Sequence, residues 1–287
     1  MHMRYWYLIT ILCLVGGCAP APAPGTDSSG GDRGGEEALP EVTTGPLETT
    51  RSRGAVSTTG LGGALKMTPG WQPVLPGMSY RVSEVAGGSA QVVAVLADPA
   101  RFRVVVWEAY REGRKPRTVA EFAQAGQAAA AINGGFFDEE GKPLGLVVHE
   151  GKRLNPLRKA DWGIFAVVRG KPRIVHTREG VPRGATEARQ CGPRLVIRGR
   201  VPRFKPGESF RSAVGITEGG RVMLAVTSRG QLSLHHWARV LKQWGCRNAL
   251  NLDGGPSRQL YVEAGQVKLE VPGAYGVPNA LGLVADR

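Results

Sequence analysis

The chain has 287 residues with 42% hydrophobic and 21% charged side chains, enough to bury one sizeable core. Its 41 Gly and 20 Pro follow no collagen-like period, and with 7% aromatics they argue against an all-helical bundle and for turn-rich β or α+β structure. Thirty-seven Lys and Arg against 24 Asp and Glu leave a net charge of +13, which attracts polyanions. The cations are scattered, with no aromatic-interleaved RNA motif, zinc-finger spacing or basic helix, so nucleic acid is not an expected partner.

Residues 1–4 form a short basic segment and residues 5–15 an apolar run too short for a permanent membrane span. The run ends in Leu14-Val15-Gly16-Gly17-Cys18, so residues 1–17 read as a lipoprotein signal peptide with Cys18 as the lipid attachment point. Residues 18–75, rich in Pro, Gly, Ser and Thr, read as a disordered tether. The expected location is therefore a bacterial cell envelope, with the chain lipid-anchored and its domain facing the periplasm or exterior. Residues 76–287 are the expected single globular domain. Beyond Cys18, two cysteines remain in this export setting, Cys191 and Cys246; they form either a disulfide or two buried free thiols.

Within that domain, residues 79–85, 90–96 and 102–110 pattern as strands. Thr118-Val119-Ala120-Glu121 is a capping box, which predicts a helix ending near Gly126 or Gln127. Residues 128–132 read as a buried strand that stops at Asn133-Gly134-Gly135. Short strands follow at 144–149, 162–168, 172–176 and 194–197. The pair 212–217 and 221–227 flanks Glu218-Gly219-Gly220, a hairpin signal. Ser233 caps a second helix whose apolar face is Leu234, Trp237, Ala238, Leu241 and Trp244, closed by Gly245. Residues 248–252 form another buried strand, stopping at Asp253-Gly254-Gly255, and final strands lie at 259–262, 266–269 and 280–284. The fold class is thus α+β, with mixed, mainly antiparallel sheets and two principal helices.

The repeated plan of helix, small apolar strand and Asx-Gly-Gly turn suggests two turns sharing one pocket at a sheet end. Around them stand Ala131-Ile132-Asn133-Gly134-Gly135-Phe136-Phe137, Gln190-Cys191-Gly192-Pro193-Arg194-Leu195, Arg211 with Val214-Gly215-Ile216, and Asn251-Leu252-Asp253-Gly254-Gly255-Pro256-Ser257. Trp162-Gly163 lies between the blocks. This ordered set, over residues 79–284, resembles the phosphodiester glycosidase family. The resemblance implies hydrolysis of a sugar joined through its anomeric carbon to a phosphodiester.

Such a leaving group departs as a phosphomonoester with a second pKa of about 6, so a general acid matters less than in ordinary glycosidases. Asp253 is then the expected central carboxylate, and Arg211, ahead of Arg194 and Arg258, the phosphate clamp. Asn133 is expected to bind a sugar hydroxyl or phosphate, with Gly134, Gly135, Thr227, Gly254, Gly255 and Ser257 as further substrate contacts. No cofactor is expected: His235 and His236 are helix neighbours without metal-pair spacing, and Asp138, Glu139 and Glu140, the one group suited to a divalent cation, read as an acidic loop. The expected substrates are small-molecule or glycan phosphodiesters of the cell envelope. The alternatives are a non-catalytic envelope protein that binds phosphorylated or anionic glycans, and cleavage on the phosphate side of the diester.

Overall fold

The computed structural model describes residues 56–58, 65–109 and 115–286. The signal peptide, Cys18 and most of the tether lie outside the described residues. In chain order the elements begin β1 (Val56–Thr58), β2 (Gln72–Leu75), β3 (Met78–Val85), β4 (Ala90–Ala97) and β5 (Phe102–Glu108). Helix α1 (Val119–Ala125) leads into β6 (Ala130–Asn133), β7 (Val147–His149), β8 (Lys152–Asn155), β9 (Gly163–Val168) and β10 (Lys171–His176). Next are β11 (Ala185–Cys191), β12 (Arg194–Val196), β13 (Glu208–Ser209), β14 (Ser212–Thr217), β15 (Val222–Arg229) and β16 (Leu232–Ser233). Helix α2 (Leu234–Gln243) precedes β17 (Cys246–Asn251), β18 (Leu260–Ala264), β19 (Val267–Val271) and β20 (Asn279–Ala285).

Three larger sheets run in the orders β1-β19-β18-β6-β20-β5, β10-β9-β11-β7-β8 and β12-β17-β14-β15-β4-β3-β2. All their pairings are antiparallel except β1 with β19. The three sheets share one core, to which β4 gives Val93 and Val95, β5 gives Val104 and Val106, and β9 gives Phe165 and Val167. The alternate residues face outward into covered layers: Val92 and Ala94 belong to the cluster under α2 with Trp237, and Val105 to the cluster under α1 with Phe122. Burial on both faces explains why β4 reads as a continuous apolar run rather than an alternating one.

Both helices have the predicted caps. The Glu121 amide donates to Thr118 Oγ1 at 3.2 Å while the Thr118 amide donates to Glu121 Oε2 at 2.7 Å. Ser233 Oγ accepts from the His236 amide at 3.2 Å, and Gly245 after α2 has φ of 95°.

Two expectations need correction. Residues 65–75, which composition assigned to the tether, belong to the fold: Leu65 is buried and β2 pairs with β3. Strand β11, at the centre of its sheet, has no counterpart among the predicted strands, because its sequence carries Glu187 and Arg189, both buried. Of the two cysteine readings, the thiols are free; Cys191 lies in the central core and Cys246 in the layer beneath α2. Burial pushes each thiol's pKa up to about 12.

Candidate active site

Strand register brings the sequence motifs to one rim. The exit of β6 at Asn133 pairs with Ala280 near the start of β20, and the exit of β17 at Asn251 pairs with Ala213 at the start of β14. The exit of β11 at Cys191 faces Gly163 at the start of β9. Two hydrogen bonds then join the Asx-Gly-Gly turns to each other across the sheets. Asn133 Nδ2 donates to the Asp253 carbonyl at 2.7 Å, and the Asp253 amide donates to the Gly134 carbonyl at 3.1 Å. The sequence echo is thus a physical pairing over 120 residues.

Asn133 builds the rim rather than facing a ligand. It is fully buried, and its Oδ1 also accepts from Ser212 Oγ at 2.8 Å and from the Gln259 amide at 3.0 Å. With oxygen and amide both engaged, this side chain, expected to bind a sugar hydroxyl or phosphate, stitches four segments together. Gly134 and Gly135 are required by close approach. A Cβ on Gly134 would stand 1.9 Å from Asn279 Oδ1, and one on Gly135 2.7 Å from Arg189 Nε. The Gly134 amide already donates to the Asn279 carbonyl at 2.9 Å, so it does not serve an anion nest.

Asp253 is only partly buried. Desolvation pushes its carboxyl pKa up, while the Ser257 hydroxyl and the Gly254 amide, as hydrogen-bond donors, and the nearby Arg189 charge pull it down; the net direction is upward. Ser257 is buried, with its hydroxyl 3.3 Å from that of the half-exposed Tyr275. The Gly254 and Gly255 backbone is clamped to the neighbouring segment, the Gly255 amide donating to the Phe210 carbonyl at 2.8 Å.

Arg211 enters the same rim through its main chain, since a Cβ on Gly254 would lie 3.8 Å from Arg211 Cα. Its guanidinium is partly committed: Nε donates to the Leu232 carbonyl at 2.8 Å and one Nη to the Gly207 carbonyl at 2.9 Å. Three of its five N–H groups have no partner among the described residues, which leaves capacity for a phosphate. Thr227, expected as a substrate contact, is fully buried, and its hydroxyl accepts from the Arg211 amide at 2.9 Å, which fixes Arg211 at the rim. Arg258 packs over Phe210 at 4.5 Å and donates to the Pro272 carbonyl at 2.8 Å. The carboxylate of Asp138 accepts from the amides of Glu140 and Lys142, the acidic turn expected there. Among the described residues no three of His, Cys, Asp and Glu gather as a metal site.

Sequence reasoning missed Arg189. Fully buried, it lies 3.4 Å from Glu108 Oε2 and donates to the Phe136 carbonyl at 3.2 Å. Burial lowers its pKa, opposed by Glu108, Cys191 and Asp253, so it is the buried cation coupled to the candidate carboxylate. The legible signal was an arginine immediately ahead of Gln190-Cys191-Gly192-Pro193, where an apolar strand residue would be expected. Phe136 and Trp162 meet edge-on at 5.2 Å beside it and form an aromatic flank.

The family model described as phosphodiester glycosidase matches residues 126–284. The chain is 26% identical over 163 residues to the uncharacterized protein YigE of Escherichia coli (strain K12), spanning 52% of this chain and 64% of that one, less than two thirds of its length. Among solved structures, it resembles the catalytic domain of zebrafish N-acetylglucosamine-1-phosphodiester alpha-N-acetylglucosaminidase, auto-inhibited by its pro-peptide. That match has a TM-score of 0.60 at 18% identity and covers 78% of this chain and 86% of the other. A hypothetical protein from Synechocystis matches with a TM-score of 0.54 at 18% identity, over 75% of this chain and 64% of its own.

Proposed function

The chain belongs to the phosphodiester glycosidase family, and on that premise we propose that it hydrolyses a glycosyl phosphodiester to free sugar and a phosphomonoester. Water attacks the anomeric carbon, the bond from that carbon to the phosphate oxygen breaks, and the phosphomonoester leaves with the bonding pair. Asp253 takes the proton from the water or faces the developing positive charge on the sugar ring, and the uncommitted N–H groups of Arg211 hold phosphate oxygens. The observation that carries this reading is the position of Asp253: a partly buried carboxylate on a turn locked to its twin, with a buried arginine behind it.

The test is mass analysis of products from a methyl diester of a sugar 1-phosphate. In heavy-oxygen water, free sugar with unlabelled methyl phosphate is expected; label in the phosphate, or sugar phosphate with methanol, would mean cleavage on the phosphate side. Binding without turnover across a panel of such diesters would leave a glycan-phosphate binding protein instead. Export and lipid attachment at Cys18 belong to the same proposal, supported by the apolar run and Gly-Gly-Cys of residues 5–18. An envelope location makes phosphodiester-linked surface glycans the substrate class of choice for so cationic a chain.

A further inference from the structure

The exposed side of α2 holds a charged concavity for which the mechanism has no use. Arg200, Val201, His235, Arg239, Lys242 and Gln243 line a space of about 570 Å³. His235, Arg239 and Lys242 follow the i, i+4, i+7 spacing of one helix stripe, and Arg200 closes in from the segment after β12. Cations scattered along the sequence are thus gathered by the fold.

No acid lines the space, and among the described residues Arg200, Arg239 and Lys242 make no ion pair, whereas Arg229, Arg247 and Lys268 each have a carboxylate partner. Like charges one turn apart repel, so this stripe lacks the counter-charge that an anion would bring. Its backing is rigid, with Trp237, Ala238 and Leu241 buried on the opposite side of the helix. The guanidinium of Arg211 ties the concavity's surroundings to the catalytic rim, because Leu232 stands just before α2 and Gly207 lies on the segment that follows Arg200.

We propose that this concavity is a second anion subsite that holds another phosphodiester of a polymeric substrate, a chain of repeating glycosyl or polyol phosphates. The inference rests on the reading that the scissile bond is a glycosyl phosphodiester. A polymer is favoured over a membrane surface because the cations come from two separate segments, α2 and the stretch after β12, and Val201, the one apolar lining residue, packs against the core beneath α2. A bilayer is met by faces with apolar side chains to insert.

The experiment measures binding of fluorescein-labelled poly(glycerol phosphate) to the full chain by anisotropy, over a range of salt. The variant Arg239→Glu with Lys242→Glu is compared with Lys152→Glu plus Arg153→Glu, an equal charge change on exposed strand β8, and circular dichroism checks the fold of each. The pocket variant is expected to bind about tenfold or more weakly, with the slope of log K against log salt reduced by about two, while the control shifts far less. Both variants should cleave a short diester at the wild-type rate.

Equal loss in both variants, or loss in neither, overturns the subsite. So does pocket-dependent capture of phosphatidylglycerol vesicles with polymer binding intact, which reassigns the surface to a membrane. Failure of the hydrolysis reading is separate: wild type would then release no free sugar from the short sugar 1-phosphate diester, while polymer binding still depended on the pocket.

Discussion

At the scale of single residues, Asp253 carries opposing demands. Its carboxyl pKa is raised by burial, so the folded chain prefers the protonated form relative to an unfolded one. That contribution to stability is complete at pH values below the ordinary aspartate range and is lost as pH rises through the raised value. At pH 7 the ionised group therefore costs stability. Asp253→Asn should lower turnover by about 10²–10⁴-fold and at the same time raise the melting temperature at pH 7, which calorimetry reads directly. Ser257→Ala removes a donor from the carboxylate, so the acid limb of the pH–rate profile should move to higher pH than in wild type. Asp253 was legible in the sequence because glycines punctuate an apolar run there. Asn133 has the same punctuation, but nothing local in its sequence tells that its hydrogen bonds run inward to Ser212 and the Asp253 carbonyl.

Among the elements, legibility followed local chemistry. Both helices and the β14–β15 hairpin are written in caps, apolar periodicity and turn glycines, which act over a few residues. Strand β11 is not, because its buried charges are tolerated only by partners from distant segments. Glu187 accepts from the Val106 amide at 2.8 Å and meets His149, while Arg189 meets Glu108. Removing one partner of the latter pair leaves an uncompensated buried charge, so Glu108→Gln should cost about 3 kcal/mol or more in urea-induced unfolding. The Ser233 cap is a local matter, and Ser233→Ala should cost about 1 kcal/mol in the same measurement.

For the molecule as a whole, composition spoke to fold class and cationic character but drew the domain edge too late. The end of the segment assigned to the tether, with Leu65, Met67, Trp71, Val74 and Leu75, supplied Leu65 to the core and an edge strand to the largest sheet. If Cys18 bears lipid, Cys18→Ser should move the protein from the membrane pellet to the soluble fraction of fractionated cells. The hinge-like union of Asn133-Gly134 with Asp253 has its own consequence for how such a chain can diverge. Each turn completes the other's hydrogen bonding, so adding one residue to either unhooks both. Insertions should therefore collect on loops at the far ends of the strands, where length is free to drift while this junction keeps its spacing.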